Sequence, residues 1–410
     1  MIHDLDGEAA LDPARAGAKA AWLARARRAG LPVLPGLVVD SAASRGHMKL
    51  GAEKLAGRGS GGARLAMTAE PVSFADELVS RAGRLGEVLV ARSSTLLEAS
   101  GEWSGAFTSY LELSPAELPK AVTGCWASAF SVAALERQTA AGVEPGSFSM
   151  AVLVQPALDP EAGGLAVLDN DGQVVVTGVK GSPAPLLQGW STGKTGPELA
   201  ELIGIEAVES VANTLRDAHQ VAGATRAEWA WADGRVLILQ LGRAEEAISP
   251  VVKPGPVDSR LVQEARVIVR GSGQPGETIE PGRRRGVQTW EPFLASVALG
   301  NGVRYQGTPA SPGVGAGVIV RPDGTSQVDV PPRSVLVAGQ PVPNLASLLW
   351  DAAALVTETG SPAAHLFESA RALRVPAVCG VTIPPGDWIV AVDGEEGVVA
   401  TIPLEEDGDV

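Results

Sequence analysis

"AALVTETGSPAAHLFESARALRVPAVCGV" (353–381) reads as strand, turn, helix and strand, the repeating unit of an α/β domain. "AALVTETG" and "PAVCGV" are short β-prone runs bounded by turn residues. Between them Ser361 is a good helix cap and Pro362 a good first helical residue, so the stretch predicts a helix over 362–373. His365, one of only four histidines in 410 residues, then falls in the first turn, where backbone N–H groups and the helix dipole favour an anion. Histidine is a covalent nucleophile, and a phosphoryl group on its imidazole would sit where the helix end stabilises negative charge. Taken alone, the segment also fits an ordinary capped helix with a surface histidine, and that plainer reading is the commoner one.

Further short β runs, "GVGAGVIV", "SVLVAG" and "DWIVAVDGEEGVV", surround this helix, so 301–405 predicts a small α/β domain. Upstream, residues 14–30 read as a helix rich in Ala, Leu and Arg that stops at Gly30, and "LPVLPGLVV" (31–39) as an extended segment. The Gly-rich 49–63 predicts a mobile loop. "EVLVARSS" (87–94), "MAVLVQPAL" (150–158) and "GLAVLDNDGQVVVTG" (164–178) read as strands. Residues 197–220 fit a helix, and "AEWAWADGRVLILQ" (227–240) fits a hairpin. The chain from 246 to 300 is rich in Pro and Gly and predicts a linker or small connecting element. The expected organisation is therefore mixed α+β and α/β, with domains at 1–245 and 301–405 on either side of that connector.

Composition narrows the function. A net charge of −14 argues against a nucleic-acid partner or an anionic membrane surface. Two cysteines, Cys125 and Cys379, with no CxxC, argue against a disulfide framework or structural zinc. No uncharged apolar run approaches the ~20 residues of a membrane span, and "MIHDLDGEAALD" is no signal peptide. A cytoplasmic location is expected.

Three upstream stretches carry chemistry. In the hairpin, Asp233-Gly234 supplies the turn. A three-residue loop sets Glu228 opposite Gln240, with β-carbons roughly 5 Å apart on one face; a carboxylate and an amide oxygen so placed can hold Mg²⁺ together with nucleotide oxygens. A two-residue loop sets the pair on opposite faces. In "VLVARSSTLLEASGEWSGAFTSYL" (88–111) a buried strand delivers Arg92, whose guanidinium can take a phosphate with two prongs. Gly101 and Gly105 can let backbone N–H groups approach the same phosphate. In "AGAKAAWL" (16–23) Lys19 lies near a helix start, where it opposes the dipole unless an anion binds nearby. Each has a plainer reading: a buried hairpin, a surface salt bridge, a solvated lysine. "GWSTGKT" (189–195) ends like a phosphate-binding P-loop but has Gln188 where that motif needs glycine.

These stretches occur together and in order as in the family of pyruvate phosphate dikinase, phosphoenolpyruvate synthase and rifampicin phosphotransferase, which the chain resembles almost throughout except over 246–300. "GAKAAWLARARRAGLPVLPGLVV" resembles the family's opening lysine motif, which implies that Lys19 binds phosphate. "ARSSTLLEASGEWSGAFTSYL" resembles its arginine and glycine motif and implies phosphate contacts from Arg92 and Gly105. "MAVLVQPAL" resembles the segment near the adenine-binding hinge, which holds Gln155. "AEWAWADGRVLILQ" resembles the metal-contacting hairpin, placing Glu228 and Gln240 as metal ligands, with Arg243 displaced by one position from the family's following arginine. "VTETGSPAAHLFESARALRVPAVCG" resembles the phosphohistidine segment and places His365 at the phosphorylated histidine.

The resemblance implies an ATP-grasp-like nucleotide domain joined to a swivelling phosphohistidine domain. It also implies ATP and Mg²⁺ as cofactors and catalysis by His365, Arg92 and Lys19. Products would be AMP and phosphate by analogy, although the residues leave ADP open. No phosphoenolpyruvate/pyruvate barrel is recognised, so a small-molecule acceptor is expected. The alternatives are an acceptor site on a partner protein and a degenerate, non-catalytic homologue. Ser361 and Ala364 stand where the family has glycine and serine, the "GLGE" segment has no counterpart, and these departures mark where a changed activity should be sought.

Overall fold

Alternating Val, Leu and Ala runs become three separate sheets. A computed structural model describes residues 1–169, 171–243, 259–271, 291–322, 331 and 333–404. The chain divides into two compact units. The first holds Met1–Thr139, Val143–Leu187 and Gly193–Ala244; the second holds Glu245–Val410 with two short pieces, 140–142 and 188–192. Among the described residues no helix is long and apolar enough to cross a membrane.

The first unit contains two antiparallel five-stranded sheets. One, ordered β1-β2-β5-β3-β4, is built from β1 (Ile2–Asp4), β2 (Leu37–Val39), β3 (Leu89–Ser94), β4 (Ser109–Leu113) and β5 (Ala151–Pro156). The other, ordered β10-β9-β6-β7-β8, contains β6 (Ala162–Leu168), β7 (Val174–Lys180), β8 (Lys194–Thr195), β9 (Arg226–Ala232) and β10 (Arg235–Gly242). One core joins them: Leu153 and Val38 from the first sheet, Trp229, Ile238 and Leu241 from the second, and Leu23 and Leu215 from the helices Pro13–Arg28 and Ile205–Ala222.

Three helices differ from their sequence patterns. The mobile loop expected at 49–63 is instead inside a helical stretch, Arg45–Ala69, broken at Gly59, whose φ of 62° lies in the left-handed region. A straight helix would separate Gly51 from Met67 by about 24 Å, yet a β-carbon on Gly51 would meet the Met67 sulfur at 2.5 Å. The stretch therefore folds back on itself, and burying Met48, Ala63 and Met67 outweighs the low helix propensity of its glycines. The 197–220 helix is two, Gly196–Ile203 and Ile205–Ala222, parted by Gly204 at φ 89°. The 362–373 helix begins only at His365.

The second unit is one mixed eight-stranded sheet, ordered β11-β18-β17-β13-β14-β15-β16-β12. It comprises β11 (Val303–Gln306), β12 (Thr308–Ser311), β13 (Val314–Val320), β14 (Val335–Ala338), β15 (Ala354–Thr357), β16 (Ala377–Cys379), β17 (Trp388–Asp393) and β18 (Val398–Pro403). The β13 to β16 pairings are parallel and the rest antiparallel. Leu366, Phe367 and Ala370 of the His365–Ala372 helix pack on Leu336 and Leu355. Two helices, Ser259–Gly271 and Glu291–Asn301, lie within the expected connector; Leu294 and Ala298 of the second join Ala316, Ile389 and Ala400 in a core of this unit. The rest of that connector, 246–258 and 272–290, lies outside the described residues.

Candidate functional site

In the first unit β3 links Lys19, Arg92 and the hairpin that carries Glu228 and Gln240. Gly17 breaks the Pro13–Arg28 helix with φ 73° and ψ 170°, so the helix restarts at Ala18. A β-carbon there would lie 2.2 Å from the Ser94 carbonyl, so only glycine permits this approach. The restarted helix is docked on β3: Ala18 N–H donates to the Thr95 carbonyl (3.0 Å) and Ala20 N–H to Ser94 Oγ (3.1 Å). Lys19 is thereby in a true first turn, and its Nζ sits 2.6 Å from Glu98 Oε1, with both side chains largely buried.

Glu98 is a residue that the motif reading passed over. Its Oε2 accepts the Thr95 N–H at 2.9 Å, while Thr95 Oγ1 accepts the Glu98 N–H at 3.3 Å. This is the reciprocal arrangement of a capping box, and the Thr-x-x-Glu spacing at 95–98 was its sequence signal. The carboxylate that anchors the turn also neutralises Lys19.

Arg92, on β3, donates from Nη1 to the Leu239 carbonyl at 2.9 Å. Burial lowers the affinity of its guanidinium for a proton, and the Glu228 carboxylate acts the other way. The hairpin that carries Glu228 resolves the two alternatives in an unexpected manner. Its loop has two residues, because Arg235 pairs with Ala232; continued regularly, that register would put Glu228 and Gln240 on opposite faces. A bulge between Ile238 and Gln240 inserts Leu239 as an extra residue, and Gln240 pairs with Glu228 after all. Glu228 is 8% exposed, and its Oε1 lies 3.8 Å from Arg226 Nη2.

The Glu228 carboxylate and the Gln240 amide oxygen are hard donors suited to Mg²⁺, and Oε1 of Glu228 is buried with no hydrogen-bond donor among the described residues. No group of three or more His, Cys, Asp or Glu able to hold a metal occurs among the described residues. A cation here would thus need further oxygens from a phosphorylated ligand, the usual way Mg²⁺ is held beside nucleotides.

The remaining upstream candidates have structural partners. Gln155, buried on β5, donates from Nε2 to the Leu34 carbonyl at 3.1 Å. Gly105 takes φ 65° in an exposed loop. That loop is pinned from behind by Arg137, whose Nη1 donates to the carbonyls of Glu102 (3.2 Å) and Ser104 (2.9 Å). Burial pushes the Arg137 guanidinium down to about 10. Arg243 donates to the Gly223 carbonyl at 3.1 Å and lies 5.9 Å from the Trp22 ring. It closes the carboxyl end of the Ile205–Ala222 helix, a position that suits a cation.

In the second unit His365 is the first residue of its helix. The expected cap at Ser361 is displaced: Ser361 Oγ accepts the Ala363 N–H at 3.2 Å and its carbonyl the Ala364 N–H at 2.9 Å, so 361–364 form a turn ahead of the helix. Gly360, at φ 113°, lets that turn pass Pro341, which a β-carbon would meet at 2.5 Å. Nδ1 of His365 lies 3.5 Å from Glu368 Oε2.

Residues 68–191 match the model of the pyruvate phosphate dikinase AMP/ATP-binding domain, and 330–397 match the mobile domain of PEP-utilising enzymes. The first match contains Arg92, Gly105 and Gln155; the second contains His365. A "Probable phosphoenolpyruvate synthase" of Archaeoglobus fulgidus is 25% identical over 343 residues, 76% of this chain and 43% of that one. One from Pyrococcus abyssi is 24% identical over 383 residues, 79% of this chain and 42% of that one. These matches support the pyruvate phosphate dikinase and phosphoenolpyruvate synthase family for this chain.

The chain spans less than half the length of these two relatives. A Staphylothermus marinus "Probable phosphoenolpyruvate synthase" is 35% identical over 104 residues, 24% of this chain and 12% of that one. Among solved structures, the Ca. Korarchaeum cryptofilum dinucleotide forming acetyl-coenzyme A synthetase 1 aligns over 42% of this chain and 82% of its own, at TM-score 0.25 and 12% identity, a likeness that carries no argument. The two family models describe the two units in turn: a nucleotide-binding domain of mixed helix and sheet, and a mobile domain built on the eight-stranded sheet.

Proposed function

We propose that the chain is an ATP-dependent phosphotransferase in which His365 carries the phosphoryl group between ATP and an acceptor. The observation that carries this reading is the Leu239 bulge. One extra residue pairs Glu228 with Gln240 and gives its carbonyl to Arg92, so an oxygen pair for a cation and a guanidinium for phosphate are assembled by one irregularity.

In this reading Lys19 exchanges Glu98 for phosphate oxygens, and Arg92 meets the same phosphates. Glu228 and Gln240 would hold Mg²⁺, which neutralises charge on the phosphates when bound. Phosphoryl transfer needs little from the protein beyond alignment and charge neutralisation, and these side chains supply both. The His365 imidazole attacks phosphorus, and the matched mobile domain then presents the phosphoramidate to the acceptor. Gln155 and Gly105 are proposed as nucleotide contacts, and Arg243 as an outlying one. The acceptor is proposed to be a small molecule.

The test uses ATP labelled separately at the β and γ positions, with Mg²⁺, on the full chain and on His365→Ala. Acid-labile label on the wild type and none on the variant is expected, and the retained label decides between AMP and ADP as product. No label on the wild type, or equal label on both, overturns the proposal. A chase of the labelled protein with small molecules, against a chase with cell protein, separates a small-molecule acceptor from a partner chain.

A further inference from the structure

We propose that Glu368 is the positioning residue of His365, holding the imidazole with its proton on Nδ1 so that Nε2 presents the lone pair. This rests on the reading of His365 as the phosphoryl carrier.

The geometry comes from helix spacing. His365 opens the helix and Glu368 follows at i+3, which stacks the two side chains on one face. Nδ1 and Oε2 stand 3.5 Å apart, and the side chains are only 17% and 15% exposed, so water screens the pair weakly. A first-turn carboxylate is also favoured by the helix dipole. An ionised carboxylate only accepts, so its approach favours the tautomer with the hydrogen on the ring nitrogen that faces it.

Side-chain oxygens of the turn make contacts of their own. From 361 to 368 only Ser361 and Glu368 carry one, and Ser361 Oγ accepts the Ala363 N–H. Thr357 Oγ1 donates to the Thr359 carbonyl and Thr359 Oγ1 to that of Gly339. Ala363 and Ala364, immediately before the histidine, have no polar side-chain atom. Glu368 is the carboxylate that the helix sets against Nδ1.

The chemistry balances without a proton leaving. The Nε2 lone pair forms the N–P bond as the bond from phosphorus to the departing phosphate oxygen breaks, its electrons going to that oxygen. The Nδ1 hydrogen stays, so the phosphorylated ring is cationic and faces the Glu368 carboxylate. When the acceptor oxygen attacks phosphorus, the N–P electrons return to Nε2 and a neutral imidazole leaves.

The test has two arms on the full chain. In the first, ¹⁵N-histidine spectra are recorded without ATP, the His365 signals being assigned by their loss in His365→Ala. The wild type is expected to show the Nδ1–H tautomer. Glu368→Gln should keep it through its amide oxygen, and Glu368→Ala should gain the Nε2–H form. In the second arm the protein is loaded from ATP and hydrolysed in alkali. The wild type and Glu368→Gln should yield phosphate on Nε2, whereas Glu368→Ala should load at least tenfold more slowly and give both isomers. An Nε2–H tautomer in the wild type, phosphate on its Nδ1, or a Glu368→Ala protein unchanged in tautomer and isomer overturns the proposal. If Glu368→Ala does not fold, the wild-type spectrum and the isosteric Gln variant decide. The spectra need no turnover, so a failure of His365 to take label would sink the phosphotransferase reading while leaving the tautomer result legible.

Discussion

Glu228 and Gln240 face each other across the β9–β10 hairpin because Leu239 is one residue too many for its partner strand. The turn itself works against the pairing, since Arg235 opposite Ala232 sets a register that separates the two side chains. The bulge is held from outside the hairpin. Ile238 N–H donates to the Pro32 carbonyl at 2.8 Å, and the Leu239 carbonyl accepts from Arg92. The proposed site is thus built from contacts among three distant parts of the chain.

Deleting Leu239 should leave a regular ladder with Gln240 still opposite Glu228, and should remove the carbonyl that Arg92 meets. Mg²⁺-dependent binding of ATP, followed by calorimetry, should therefore survive the deletion better than Gln240→Ala, which should weaken it about tenfold with little change in unfolding midpoint; tenfold is about 1.4 kcal/mol. Unaltered Mg²⁺ dependence in Gln240→Ala would show that the pair holds no metal.

Gly17→Ala tests the docking of Lys19. The added β-carbon meets the Ser94 carbonyl at 2.2 Å and requires φ 73°. Strain and overpacking together should cost about 3 kcal/mol, read from urea unfolding. Nucleotide affinity should fall as well, because the Lys19 turn moves away from β3. Gly30→Ala is the control: its φ is also positive, but nothing lies within 4 Å of the added carbon. It should cost no more than about 1–2 kcal/mol. Equal losses at both positions would remove the close-approach argument.

The legibility of these features follows the range of the forces that make them. Lys19, Arg92 and His365 stand in local patterns of glycines, strand ends and helix starts, which a sequence displays directly. Glu98 was equally local, in a Thr-x-x-Glu box, but no apolar helix follows to draw attention to it. The bulge at Leu239 was not legible, because Pro32 and Arg92 impose it from far away in the chain. The Arg45–Ala69 stretch was misread for a related reason: its glycines argue for a loop, and only the return of Met67 onto Gly51 shows that they make room for packing. At His365 the Ser-Pro pair starts a turn rather than the helix, since the Ser361 side chain is used two residues on, at the Ala363 N–H.

Glu98→Ala should be among the more damaging single changes in the first unit. It leaves Lys19 without its carboxylate in a largely buried setting and opens the capping box at Thr95. A loss of about 3 kcal/mol in unfolding free energy is expected. Glu98→Gln keeps an acceptor for Thr95 and should lose less. Because Lys19 is then no longer held by a charge, Glu98→Gln should bind ATP at least as tightly as the wild type. A Gln variant with tenfold weaker ATP binding would assign Glu98 a direct role with the nucleotide instead.

Acid should weaken the first unit through Asp40. Burial alone would raise the pKa of this carboxyl, but the Ala42 N–H and the Arg15 and His3 side chains outweigh it and hold the group below its ordinary 3.8. Arg15 Nε donates to Asp40 Oδ2 at 2.9 Å, and His3 Nε2 lies 3.2 Å from the same oxygen. The folded protein therefore keeps this carboxylate ionised where the unfolded chain binds a proton. Its stabilisation is complete above 3.8 and is lost as pH falls through that value towards the lower folded one. Urea midpoints measured between pH 6 and 2.5 should drop more steeply for the wild type than for Asp40→Asn, the two curves converging at the acid end. Parallel curves would show that Asp40 is not a source of the acid sensitivity.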